Sequence, residues 1–106
     1  MTRRAIERVS TLHPAGKSGV RIERAKYDAM RRALLRCVPA AAGGIALAEL
    51  ARRVPAHLDR AVFGPKAGVT WYLIAVKQDL EARGLLEIVP GLRPQHLRRP
   101  RRTRSA

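Results

Sequence analysis

One hundred and six residues, 11.8 kDa, make one compact domain and leave no room for a barrel or a doubly wound enzyme fold. Leu, Ile, Val and Phe number 26 and alanine alone 17, so a small helix-rich core is expected. Twenty-two Lys and Arg against eight Asp and Glu give a formal charge of +14. Such a surface attracts polyanions, although basic ends also serve simply to keep a small domain in solution.

Along the chain, residues 1–22 read as an arm with short strands at 5–9 and 20–22, separated by the loop His13-Pro14-Ala15-Gly16-Lys17-Ser18-Gly19. The first helix is predicted over 23–38, with Tyr27, Met30, Leu34, Cys37 and Val38 at helical spacing and Pro39 as its stop. Ala40 to Gly44 reads as a turn. A second helix follows over 46–54, with Leu47, Leu50, Ala51 and Val54 on one side. Beyond Pro55, residues Leu58, Ala61 and Val62 suggest one or two further helical turns, closed by Gly64-Pro65.

The third helix is predicted over 67–83 and ends at Gly84, a left-handed C′ position. Val69, Leu73, Val76 and Leu80 form its core face, flanked by Tyr72, whereas Trp71 falls roughly 160° from Leu73 at about 100° per residue. Leu85 to Val89 and Gln95 to Arg98 read as a hairpin around Pro90-Gly91-Leu92-Arg93-Pro94, with prolines that exclude a tight two-residue turn. Residues 99–106 read as a basic disordered tail. The expected core is Tyr27, Met30, Leu34, Leu50, Val54, Val69, Leu73, Val76, Leu80 and Leu86.

The fold class is thus mainly α with a small β hairpin. Helix, short helix, turn, longer helix and hairpin in that order resemble a winged helix, a helix-turn-helix variant with a β wing. The local likeness lies in Ala48-Glu49-Leu50-Ala51 and in Leu80-Glu81-Ala82-Arg83-Gly84-Leu85-Leu86. More of the chain is similar to a group of short uncharacterised bacterial proteins built on a winged-helix-like domain. The similar segments are His13-Pro14 with Gly16, Tyr27 through Leu35, Phe63, and Trp71-Tyr72 leading to Val76 through Gly84. The resemblance covers about residues 5–98; it implies a fold and no activity. Gln78 departs from it, since the group tends to carry leucine there.

On that fold, the third helix would enter a major groove. Lys66, Thr70 and Trp71 stand at its start, with Lys77 and Gln78 farther along. Arg93, Arg98 and Arg99 would reach phosphate from the wing, and Arg52 and Arg53 would clamp the backbone from the second helix. DNA is favoured over RNA as the partner. The helix carries no arginine in its first three turns, the residue that most often reads a base, and Asp79 and Glu81 would face phosphates unfavourably.

A competing reading takes Trp71, Ile74 and Ala75 as a protein interface, covered by the arm, by a second copy in a homodimer, or by another protein. Cover by protein is the preferred fate for Trp71 itself. Of the net charge, residues 1–26 carry +5, 27–92 carry +3 and 93–106 carry +6, which places most of the attraction for polyanions at the ends.

Catalysis has no foothold in the sequence. Gly16-Lys17-Ser18 ends like a phosphate-binding loop, but Thr11 stands where the pattern needs glycine. His13, His57 and His96 lack ligand spacing, so neither metal nor cofactor is expected. Cys37 is single and reads as a core residue, which excludes an internal disulfide. Arg3 and Arg4 precede no apolar run, and no stretch is long enough to span a membrane. The expectation is a cytoplasmic protein that is not an enzyme, nucleoid-associated if it binds DNA.

Overall fold

The structure is a computed structural model and describes residues 6–64 and 68–100. Its first two elements are the short strands β1 (Arg8–Ser10) and β2 (Arg21–Glu23), paired antiparallel with Val9 opposite Ile22. The first strand lies later than the expected 5–9, because Ile22, which is buried, fixes the register through its partner. Thr11 and Val20 close the intervening loop: each backbone N–H donates to the other residue, one to a carbonyl and one to the Thr11 hydroxyl.

The chain passes directly from β2 into α1 (Arg24–Cys37), whose Tyr27, Ala29, Met30, Ala33 and Leu34 form the buried stripe. No side chain caps its start; instead the Arg24 N–H donates to the Glu7 carbonyl of the arm at 2.8 Å. At the other end Val38 is extended (φ −86°, ψ 121°), as the ring of Pro39 requires.

After the turn through 40–44 comes a strand that the sequence does not announce, β3 (Ile45–Ala46). Two residues carry no readable period; their extended backbone is fixed by pairing with a strand some fifty residues later. α2 (Leu47–Arg53) follows at once and lacks a side-chain cap. The Leu47 N–H donates to the Gln95 carbonyl, so the sheet supplies the missing partner. A single 3-10 turn, Val54–His57, continues α2 with Pro55 near its start. In place of the further helical turns expected around 58–62, Asp59 makes a tight turn, its carboxylate accepting from the Ala61 N–H and its carbonyl from Val62 and Phe63.

α3 (Val69–Ala82) ends as predicted, with Gly84 at φ 79°. The Leu85 N–H reaches back to the Leu80 carbonyl and that of Gly84 to Glu81, which satisfies two of the carbonyls left open at a helix end. β4 (Glu87–Ile88) and β5 (His96–Arg98) then form the wing, joined by a seven-residue loop. The sheet order is β3-β5-β4, antiparallel throughout, with Leu97 opposite both Ile45 and Ile88.

Three helices and this small sheet make a winged-helix-like arrangement. α1 packs chiefly on α3, and the core lies between them and the sheet. Nine of the ten expected core residues are buried, and Val69 is half-buried against them. Val38, at the end of the first helical stripe, and Ile22, Ile45, Phe63 and Leu97 from outside the stripes are buried with them.

Where the β3 turn meets β5, Gly44 has φ 65°, and a Cβ there would lie 2.2 Å from the Leu97 carbonyl oxygen. Gly43 beside it has open space and no such backbone constraint. Denaturant titration should therefore show Gly44→Ala losing more than about 2 kcal/mol. Gly43→Ala should stay within about 1 kcal/mol of the parent. Equal losses would show that the turn does not hold the wing in this register.

Candidate nucleic-acid interface

The exposed face of α3 depends on how the helix is rotated, and its buried side carries Asp79 as well as the apolar stripe. Leu73, Val76 and Leu80 are buried as predicted, but Asp79 is fully buried as well, where a phosphate-facing carboxylate had been expected. Its Oδ1 accepts from the Leu12 backbone N–H at 2.8 Å. Its Oδ2 accepts from the Tyr27 hydroxyl and from Arg83 Nε, the latter at 2.9 Å. The arm, α1 and α3 thus meet on one carboxylate. Burial, and then the bond to Asp79, raises the Tyr27 phenol pKa; the same carboxylate raises that of Arg83 and holds its charge.

With Leu73 turned inward on the far side of the helix, Trp71 faces outward and is 52% exposed. Its ring stands edge-on to Tyr72, centroids 4.9 Å apart, and Tyr72 in turn meets buried Phe63 at 5.3 Å. The Lys26 ammonium lies 5.4 Å from the Tyr72 ring centre, a cation–π distance. The described part of the arm, residues 6–22, docks beside Asp79 and leaves Trp71 exposed, so of the covers expected for it the described arm is not one. Ile74 and Ala75 are half-buried against the core, so little of the apolar patch remains beyond the indole itself.

Thr70 is exposed next to Trp71, and Gln78 is half-buried two turns on. Lys77 departs from expectation. It is buried, and its ammonium is hydrogen-bonded to Glu81 one turn ahead, which removes both charges from the helix face. Lys66 lies outside the described residues.

Arg52 and Arg53 are exposed at the end of α2, and both guanidinium groups pair with Glu49. Such exposed pairs hold geometry weakly, and the arginines remain available to an anion. Arg93 is exposed on the wing loop, where the Arg93–Pro94 peptide is cis.

Arg98 and Arg99, expected to reach phosphate, are tied into the fold instead. Arg98 pairs with Glu87 across the wing and donates to the Ala42 carbonyl at 2.8 Å. Arg99 donates through Nε to the Val38 carbonyl and through its backbone N–H to Pro39, both at 2.8 Å. Both residues bind the loop after α1, and neither behaves as part of a free tail. Of that tail, residues 101–106 lie outside the described region.

Cys37 is half-buried and unbonded to sulfur; burial raises its thiol pKa, against the opposing charges of Arg53 and Arg36. Gly16-Lys17-Ser18 sits in the loop between two strands, with no helix behind it to receive a phosphate. Among the described residues no group of His, Cys, Asp and Glu is arranged to hold a metal, and no helix is long and apolar enough to cross a membrane.

Residues 8–97 match the model of a family of unknown function, DUF6958. The chain belongs to that family. No curated protein and no solved structure matches it. The DUF6958 match runs from the first residue of β1 into β5, and so takes in the arm as well as the helices and wing. Arg98 and Arg99 fall just beyond it. Asp79, which the sequence reading set against phosphate, is the residue on which this DUF6958 fold closes. Its one signal in the sequence is the i, i+4 spacing to Arg83.

Removing one partner of a buried ion pair strands the other, so Asp79→Asn should cost about 3–5 kcal/mol and expose the Leu12 amide to hydrogen exchange. Tyr27→Phe should cost about 1–3 kcal/mol. Because the folded pKa of Tyr27 is raised above its ordinary 10.0, its contribution holds below pH 10 and is lost as pH rises towards the folded value. Unfolding followed from pH 8 upward should thus fall less steeply above pH 10 in Tyr27→Phe than in the parent. Parallel curves would place the alkaline loss elsewhere.

Proposed function

We propose that this DUF6958 protein binds nucleic acid without catalysis, with DNA the favoured form. It would present the exposed face of α3, supported by the wing and the basic ends. The carrying observation is the outward, uncovered Trp71, braced by Tyr72 and Phe63 on the third helix of a winged-helix-like arrangement. A half-exposed indole on a rigid helix in a chain of charge +14 suits contact with a base or groove wall.

Thr70 and Gln78 supply polar contacts on either side of it, and Arg52, Arg53 and Arg93 supply phosphate contacts from α2 and the wing. Lys77 and Arg98 play no part, since their charges are paired within the fold, and Arg99 is held by its Nε against the Val38 carbonyl. Few base-reading groups remain, so binding rests on the backbone and is weakly selective for sequence. The basic segment 101–106 adds three arginines to the electrostatic attraction.

The other reading, a protein interface or homodimer through Trp71, Ile74 and Ala75, has less surface to work with, because Ile74 and Ala75 already pack inward. Adding random-sequence duplex should quench the emission of the sole tryptophan, and Trp71→Ala should weaken duplex binding with sedimentation unchanged. A parent that sediments as a dimer and becomes monomeric in Trp71→Ala, with no quenching by duplex, would instead establish the interface. Deleting 101–106 should lower the log–log salt slope of duplex binding by up to about 3.

A further inference from the structure

The positive charge of this protein is not spread evenly over its clefts. The larger cleft, 840 Å³ between the arm and the start of α1, is lined by Glu7, Glu23 and Asp28, and Arg24 and Lys26 already pair with these acids. A second cleft of 410 Å³ lies between the later turns of α1 and the 3-10 turn. Arg32 and Arg36 rise into it from one face of α1, and His57 borders it from the 3-10 turn. All three are exposed, and among the described residues none takes part in an ion pair.

Among the described residues the one acid on the rim is Asp59, whose Oδ1 accepts from the Ala61 N–H within its own turn. Ala29 and Ala56, both small, leave the space between these groups open. Two arginines one helical turn apart repel each other when nothing lies between them. An arrangement that gathers them with a histidine around a vacant space is relieved by an anion.

We propose that this cleft is a binding site for a phosphate group. Each guanidinium presents a planar fork of N–H donors, so Arg32 and Arg36 can take different oxygens of one tetrahedral phosphate, and His57 a third. Among the described residues no Phe, Tyr or Trp lines the cleft, and the groups that do are the N–H donors suited to phosphate oxygens. The site stands apart from α3 and does not depend on what Trp71 touches.

The phosphate has two possible sources, a nucleic-acid backbone or a free phosphorylated molecule, and one set of variants separates them. Full-length protein titrated with inorganic pyrophosphate should show saturable amide shifts confined to residues 29–36 and 56–59. R32Q/R36Q should weaken that binding about tenfold or more. R8Q/R21Q, an equal charge loss on the exposed strands of the arm, should leave it within about twofold. Shifts spread over the whole surface, equal weakening by both double variants, or no saturation would overturn the site. With duplex, a salt slope reduced by about 2 in R32Q/R36Q assigns the site to the backbone. An unchanged slope beside lost pyrophosphate binding assigns it to a free phosphorylated compound. Failure of the parent to bind duplex at all would remove the α3 reading and leave the pyrophosphate result to stand.

Discussion

The Asp79 carboxylate is the point on which the rest of this fold depends. A buried carboxylate is costly unless it is hydrogen-bonded and paired, and here the donors come from three separate parts of the chain: the Leu12 amide, the Tyr27 hydroxyl and the Arg83 guanidinium. The arm is therefore docked by a hydrogen bond that only one register of β1 and β2 can supply. Apolar packing of Leu73, Val76 and Leu80 would tolerate some rotation of α3 about its axis. The polar contact does not, because hydrogen bonds are directional. The outward position of Trp71 follows from the inward Leu73, which lies roughly 160° from it at about 100° per residue.

A second consequence concerns charge. The formal +14 overstates what the neighbourhood of α3 offers to a phosphate backbone. Lys77 neutralises Glu81, Arg83 neutralises Asp79, and Arg98 and Arg99 use their N–H groups on Glu87 and on backbone carbonyls of the segment after α1. Those last bonds satisfy open carbonyls near the helix terminus and tie the wing to the loop before β3. The arginines left without a partner include Arg32 and Arg36 on α1. The distribution of free cations thus differs from the distribution of basic residues along the chain, and the functional proposals follow the former.

The sheet shows the same dependence on distant partners. β3 is two residues long and exists because Ile45 and Ala46 meet Leu97 and His96. Leu97, buried between Ile45 and Ile88, anchors all three strands to the core. Gly44 allows the close approach, since any side chain there would meet the Leu97 carbonyl. α2 then begins with an amide bonded to Gln95 in place of a capping side chain, so the short helix is held at its start by the wing.

The sequence by itself determined the helices, their core stripes and their stops. An apolar period of 3.6, Pro39 and Gly84 act over distances of one or two turns and need no tertiary partner to be read. It also determined the hairpin and the winged-helix-like order of elements. Tertiary structure alone decided which polar groups face inward. Asp79, Lys77, Arg98 and Arg99 look like surface charges in the sequence because their partners lie in other elements or in backbone carbonyls, and a charge pattern carries no record of those. The same holds for β3, for the docking of the arm, and for the gathering of Arg32, Arg36 and His57. Each is created by contact between segments far apart in the chain, whose pairing is fixed only when the core closes.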